Sequence, residues 1–506
     1  MKKRTISAIL LAFAAVFIVN CESFSDDSNF SVGGTTSSTP PNSSNENDTT
    51  TTTDAYAYFL ADNTSTFKKL FVKNLKTSDG AVRLSPTTGS DVTRFVVGPS
   101  GSCAAYVQRF GSTYELYLAY ADGSPVKKLN GALVSGGQVH YNLNNFQFRP
   151  NHNQIIYMAK QDSSTIVELY SVNIDNPGVS TKLSGNMVAN GNVVGFSISP
   201  DGKSLVYQAD QNIDGVNELY FVNLDQIATP VKVNPDLGAG RNILRYAFSP
   251  DSQRILYNGD QHTDNAFELY MVSTSELGTA TKLNSDLPTG SFGILAFFMP
   301  SSGNNIVYRG YQNSTSNSEL FLVSTDSPGT VSTLNITPAA GGNSVGDVLF
   351  SSDNETILYR GDFTSNGVNE LYITRLDTPG VSTKINGALV SNGDVAQHYR
   401  FNDDATKIVY MADESTDGIN EIFVVDLSSP GTSTRLNPTL SSAHKISDIL
   451  GGLYVKDDVV IYQSDQDTLS RRRLYAVALD SAGITTQVDG FDLTDSRYLV
   501  EWAVHW

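Results

Sequence analysis

The sequence predicts an all-β protein. It reads as a single large β-propeller of about 50-residue, four-stranded blades, nine by motif count with eight as the alternative, closed by the C-terminal strand. Three observations carry this. The Leu or Ile of an ELY-type motif falls at Leu70, Leu116, Leu169, Leu219, Leu269, Leu320, Leu371, Ile422 and Leu474, at spacings of 46 to 53 residues. A second marker, a strand ending in Tyr, keeps the same period at Tyr106, Tyr157, Tyr207, Tyr257, Tyr308, Tyr359, Tyr410 and Tyr462. Finally, residues 55–62 (AYAYFLAD) match the second run of a unit, whereas residues 497–506 (RYLVEWAVHW) match the first. The two ends can therefore complete one blade together and leave no open sheet edge.

Composition agrees. The 506 residues are 40% hydrophobic, enough for a large core, but only 17% charged, below the roughly 25% usual for soluble proteins. Ser, Thr, Asn and Gly supply the remaining polarity and favour turns and strands. A formal net charge of −18 excludes nucleic acid as a partner, because phosphate binding needs a basic stripe. It also argues against a body that adheres to anionic lipid.

The chain starts with Lys2, Lys3 and Arg4, then an apolar run from Ile6 to Val19 that ends next to Cys21. This run falls short of the roughly 20 residues of a membrane span and suits a signal-peptide core. The segment Ile18-Val19-Asn20-Cys21 resembles the lipidation box of bacterial lipoproteins, with Asn20 where that family usually has Gly or Ala. The resemblance implies a signal over residues 1–20, lipid on Cys21, and export to the bacterial envelope, on an outer membrane facing the periplasm or the surface. An ordinary cleaved signal is the alternative. Loss of the three cations would take the net charge from −18 to −21. Residues 22–54, rich in Ser, Thr, Asn, Asp and Pro, read as a disordered tether, reaching about 30 Å root-mean-square as a flexible coil. The other cysteine, Cys103, reads as a small buried hydrophobe, and no disulfide framework is expected.

Within each unit, four short β-like runs alternate with turn chemistry. In one unit they are GFSIS, SLVYQA, ELYFVN and PVKVN. Ser199-Pro200-Asp201-Gly202 fits a tight turn between the first two. Units of the form SPDGKSLVYQAD…NELYFVNLD resemble the WD-like propeller repeats of the TolB type. The resemblance covers residues 55–506 and extends to the propeller module only, since the amino-terminal domain of TolB has no counterpart here. It implies a fold and leaves function open.

The loops between second and third runs carry the richest chemistry. Asp210, Asn212, Asp214 and Glu218 recur as Asp362, Asn366 and Glu370, and as Asp413, Asp417 and Glu421, with a looser copy at Asp260, His262, Asp264 and Glu268. Alternating side-chain oxygens closed by a Gly could bind calcium, the one cofactor the sequence suggests, although the Glu sits at place nine and excludes an EF-hand. Alternatively, the acids bond their own loop backbone, and the Glu accepts loop amides in every unit that has it. Glu115 and Glu319, in units whose loops lack the acids, favour that structural role. The histidines (His140, His152, His262, His398, His444 and His505) show no paired metal spacing. Propeller oligogalacturonate lyases with similar repeats use a histidine-rich metal centre, which by resemblance would require these residues to converge on the axis.

Three functions follow. The first is a non-enzymatic, lipid-anchored envelope propeller whose acidic loop face binds a protein or glycan. The second is a polysaccharide lyase or hydrolase with its site at the central channel, for which the net charge disfavours polyanionic substrates. The third is a calcium-stabilised extracellular adhesion module.

Overall fold

The structure is a computed structural model. It describes residues 56–505 except 64, 75–76, 78, 87–90, 143, 302, 338–344, 365–366, 442–443, 447–452, 471 and 489–497. Cys21, the signal and the tether lie outside the described residues.

Among the described residues every regular element is a strand, and the strands form nine antiparallel sheets. These are the nine blades of a propeller, as the motif count predicts. Blade 4 is representative, with strands Val193–Ile198, Ser204–Ala209, Glu218–Asn223 and Val231–Lys232 in that order. Its two middle strands are buried almost throughout, because neighbouring blades cover both faces. They accordingly read as apolar runs and do not alternate strictly. The fourth strand has only two residues and is partly exposed. An outer edge this short offers little template for pairing with another chain.

The hydrophobic core lies between blades. Ile156, Met158 and Leu169 of blade 3 pack with Phe196, Leu205 and Tyr207 of blade 4, and an equivalent cluster fills each of the nine interfaces, including the one between the last blade and the first. Within each of blades 2 to 9, the marker Tyr stacks on a ring directly opposite on the third strand. Tyr207 and Tyr220, for example, are 5.3 Å apart between centroids. Such cross-strand aromatic pairs stabilise a sheet beyond their buried area.

The turn between first and second strands behaves as the sequence predicts. Ser199 carbonyl accepts from Gly202 N at 2.8 Å, and Ser199 Oγ accepts from Ser204 N at 2.9 Å. Gly202 has φ +73°, and a Cβ there would lie 2.4 Å from the carbonyl oxygen of Pro150 in the preceding blade. The turn thus needs glycine for both its conformation and its close approach.

First strands of successive blades approach one another, which makes them the innermost strands around the axis. Most carry a bulge near their start, such as that between Val193 and Gly195 or between Ile243 and Arg245. The previous blade holds the carbonyl beside it: Asn258 Nδ2 donates to Ile294 O at 2.8 Å, and Arg360 donates to Val395 O at 2.8 Å. Blade 3 departs from the pattern, its inner strand being split into Gln138–Val139 and Phe146–Phe148.

Ring closure follows the prediction. Tyr498–His505 pairs with Tyr56–Asn63 and supplies the inner strand of blade 1. The antiparallel order puts the loops between second and third strands, and those between blades, on one face. This is the loop face; the tight turns occupy the other. Tyr56 pairs with Asn74, remote from the hairpin loop, so the described chain begins on the turn face.

Candidate functional site

The repeated acids of the loop face fall into two sets with different partners. The first is the Asp that follows the second strand. Asp210 Oδ1 accepts the backbone N–H of Asn192 at 2.5 Å, and Oδ2 accepts that of Gly215 at 3.1 Å. Asn192 belongs to the loop that enters blade 4 and Gly215 to the loop that follows the second strand. One carboxylate therefore clasps both loops of the blade. Asp260 repeats the arrangement with Asn242 N at 2.6 Å and Asn265 N at 3.0 Å. Asp413 does so with Asp394 N and with Gly418 N at 2.9 Å. Asp362 accepts from Gly367 N at 3.3 Å. The residue five places on has positive φ each time: Gly215 at 77°, Asn265 at 61°, Gly367 at 79° and Gly418 at 75°.

The second set is the Glu that opens the third strand. Glu218 Oε1 accepts from Lys232 Nζ at 3.0 Å and from Leu237 N at 3.1 Å, while Oε2 accepts from Tyr220 OH at 3.1 Å. Glu370 takes Tyr372 OH at 2.7 Å, together with Lys384 and Thr364. Glu421 pairs with Arg435 at 3.1 Å. Glu115, Glu168 and Glu268 likewise pair with Lys128, Lys182 and Lys282. The expectation that the Glu accepts loop amides therefore holds only in part, because its principal partner is a cation on the fourth strand. Burial works against the charge on Glu268, yet hydrogen bonds from Lys282, Tyr270 and His262 hold its carboxyl below the usual range. Glu370 is lowered in the same way, against its own burial, by Lys384, Thr364 and Tyr372. Tyr220 is raised, first by burial and then by the charge of Glu218.

The remaining candidates stand apart. Asn212, Asp214 and Asp417 are exposed; Asp214 accepts from Asn190 Nδ2 at 3.4 Å. Asn366 lies outside the described residues. Asp210 and Glu218 thus face separate partner sets. Among the described residues no group of three or more His, Cys, Asp or Glu is placed to hold a metal ion. The histidines are dispersed: His262 Nδ1 meets Tyr270 OH at 2.6 Å and Glu268 at 3.1 Å, His152 Nδ1 meets Pro150 O at 2.7 Å, and His444 Nδ1 meets Ser441 Oγ at 2.7 Å. His140 is half-buried with its pKa lowered, and His398 is buried. The near-copied loops at 131–137 and 387–393 share a turn, in which Gly137 N donates to Val134 O at 2.8 Å and Gly393 N to Val390 O at 2.9 Å.

Two features escape the motif reading. A buried Asn two places beyond the fourth-strand cation accepts the N–H of the ELY-type Leu or Ile: Asn234 from Leu219 at 2.8 Å, Asn284 from Leu269 at 2.7 Å and Asn437 from Ile422 at 2.7 Å. The repeated triplets KVN, KLN and RLN carried that signal. Blade 9 also has a clasp, in which Asp465 accepts from Lys445 N at 2.7 Å and from Ser470 N at 2.9 Å. Ser470 in place of Gly hides it from a pattern that requires glycine.

No family model matches the chain, and no curated protein matches it. Solved structures do. A eukaryotic initiation factor structure aligns over 90% of this chain and 98% of its own, at 11% identity and TM-score 0.53. Dipeptidyl peptidase 4 of Porphyromonas gingivalis aligns over 78% of this chain and 61% of its own, at 12% identity and TM-score 0.51. An oligogalacturonate lyase in complex with manganese aligns over 76% and 97%, at 14% identity and TM-score 0.40. At these identities the likeness shows the propeller fold alone and gives no support to a TolB-type or lipoprotein assignment.

Proposed function

We propose that the protein is a non-enzymatic binding propeller, lipid-anchored at Cys21 in the bacterial envelope, whose acidic loop face engages a protein or glycan partner. The observation that carries this reading is the use made of the repeated acids. Those that recur on the loop face are engaged in bracing their own blades, by clasps such as Asp210 to Asn192 and Gly215 and by pairs such as Glu218 to Lys232. A ring braced in this way presents its loops at fixed positions, which suits recognition. The test uses the full chain expressed in a bacterium. Cys21→Ser should move it from the membrane to the soluble fraction, and crosslinking should trap a specific envelope component on the wild-type chain. Turnover of a glycan or peptide panel, abolished by substitutions at the channel mouth, would overturn the reading in favour of an enzyme.

A further inference from the structure

At the inner rim of the loop face, blades 4 to 6 carry a succession of exposed apolar residues. The bulge that opens the inner strand pushes one residue out of the ladder, and in blades 4 and 5 that residue is Val194 and Leu244, 54% and 45% exposed. In blade 6 it is the partly exposed Leu295, and beside it Phe292 is 42% exposed, its ring tilted on Phe267 at 5.0 Å. Equivalent bulge positions carry Val500 in blade 1 and Thr93, Gly346 and the Ala396–Gln397 pair in blades 2, 7 and 8. The inner strands of blades 4 and 5 are in contact, and a Cβ on Gly195 would lie 3.1 Å from Tyr246 OH across that junction. Val194 and Leu244 stand at the same place on neighbouring inner strands, and Phe292, at the entry to the next blade, continues the arc. Scattered exposed apolar residues need no explanation, but a patch rimmed by polar groups marks an interaction surface.

The rim of this arc is acidic. Exposed Asp214 and Asp264 project from the loops after the second strands of blades 4 and 5, and exposed Asp236 and Asp286 follow the outermost strands of those blades. Lys232 and Lys282 sit beside Asp236 and Asp286 while also neutralising Glu218 and Glu268. Arg241 is turned to Gln261 O at 3.0 Å.

We infer that this arc docks a cationic polypeptide segment of a partner protein, with apolar side chains seated on Val194, Leu244 and Phe292 and Lys or Arg against the acidic rim. The inference rests on the binding reading above and specifies its partner. Charge decides among occupants. Residues 21–55 of this chain hold six acids and no Lys or Arg, so they are repelled, and the described chain begins on the opposite face. An anionic lipid surface is disfavoured for the same reason.

The experiment titrates the full chain with two labelled peptides of equal charge, three repeats of Lys-Lys-Leu-Phe and three of Lys-Lys-Ser-Ser, at physiological salt. The apolar peptide should bind at least tenfold more tightly. A triple variant, Val194→Ser, Leu244→Ser and Phe292→Ser, should lose that advantage while keeping the wild-type melting temperature. Val179→Ser with Val381→Ser, more exposed still and on the turn face, should keep it. Equal binding of both peptides, or an unchanged triple variant, would reduce the effect to diffuse charge attraction and overturn the inference. If crosslinking traps an envelope partner equally on wild type and triple variant, this docking site fails while the binding reading stands. If no partner is trapped at all, the binding reading itself fails.

Discussion

Blades 4 and 5 are each a continuous stretch of chain, whereas blade 1 is assembled from both ends, and the two kinds of blade are held differently. In blades 4 and 5 polar devices recur in register: an Asp clasp, a Glu–Lys pair and a buried Asn, just past the fourth strand, that accepts an N–H of the third. In blade 1 the Glu position is Lys69, the Asn position is Ser85, which accepts from Leu70 N at 3.0 Å, and the tyrosine pair is Phe59 on Phe71 at 5.8 Å. Its strands are longer. The three that form its centre have eight, ten and eight residues, against six in the middle strands of blade 4. A continuous blade can thus rely on local polar bonds. The seam has no covalent link to its inner strand and uses ladder length and apolar stacking to hold it.

The strongest way to break the comparison is to remove the seam. Ending the chain after residue 497 deletes the inner strand of blade 1 and frees the edge of Tyr56–Asn63. We expect a lower melting temperature, a larger effect than any point change below, and concentration-dependent association through the bared edge. Calorimetry and sedimentation check this, and a truncated chain that stays monomeric with an unchanged melt would mean that the ring does not depend on its closing strand.

A point change in a continuous blade tests the polar devices. Asn284 is 1% exposed and accepts from the fully buried Leu269. Asn284→Ala strands that N–H and should destabilise the protein by about 1–3 kcal/mol, read as a lower urea midpoint at constant slope. Ser85→Ala makes the same deletion at the seam. If the seam rests on ladder and stacking, its loss should be the smaller of the two.

The pH dependence separates the two regions further. Glu268 and Glu370 are held below the ordinary value of 4.5 in the folded state. As pH falls, the unfolded chain takes up the proton first. The stability these pairs contribute is therefore complete above about pH 4.5 and is lost below it as pH passes through the folded value. Urea midpoints from pH 7 to 3 should show the fall, and Glu268→Gln should make it shallower. No such term is expected from position 69, where the seam carries Lys.

Much of this architecture was legible in the sequence, for a physical reason. Every blade buries both faces of its middle strands against its neighbours, so Leu219, Tyr207 and their equivalents must recur at one spacing or leave a void. Turns such as Ser199–Gly202 admit few residues, so they recur too. The incomplete units at the two ends declared the closure. The sites were less legible because an Asp followed by alternating oxygens and a Gly is compatible with two uses. It can gather oxygens around a cation, or give both its own oxygens to backbone amides, and only the positions of Asn192 and Gly215 distinguish them. The Asn lock went unseen because its residue lies fifteen places from the Leu whose amide it binds, as in Asn234 and Leu219. The Asp465 clasp was hidden by a residue type that rarely adopts positive φ.

The smallest expected effect is that of calcium, and it bears on the loops of the continuous blades alone. Asp210 gives one oxygen to Asn192 N and the other to Gly215 N. Glu218 is occupied by Lys232, Tyr220 and Leu237. A cation bridging the two would have to displace backbone amides that then have no other partner, and would lie beside the ammonium of Lys232. We therefore expect the melting temperature to be the same with excess calcium and with chelator. A bound ion at about 100 times its dissociation constant should add roughly 2.7 kcal/mol, so a real site would be visible. A rise in calcium that disappears in Asp210→Asn would show that the clasps open for metal. They would then be ligand sites in blades 4, 7 and 8 and not struts, and the contrast with the seam would be one of metal loading rather than of strand length.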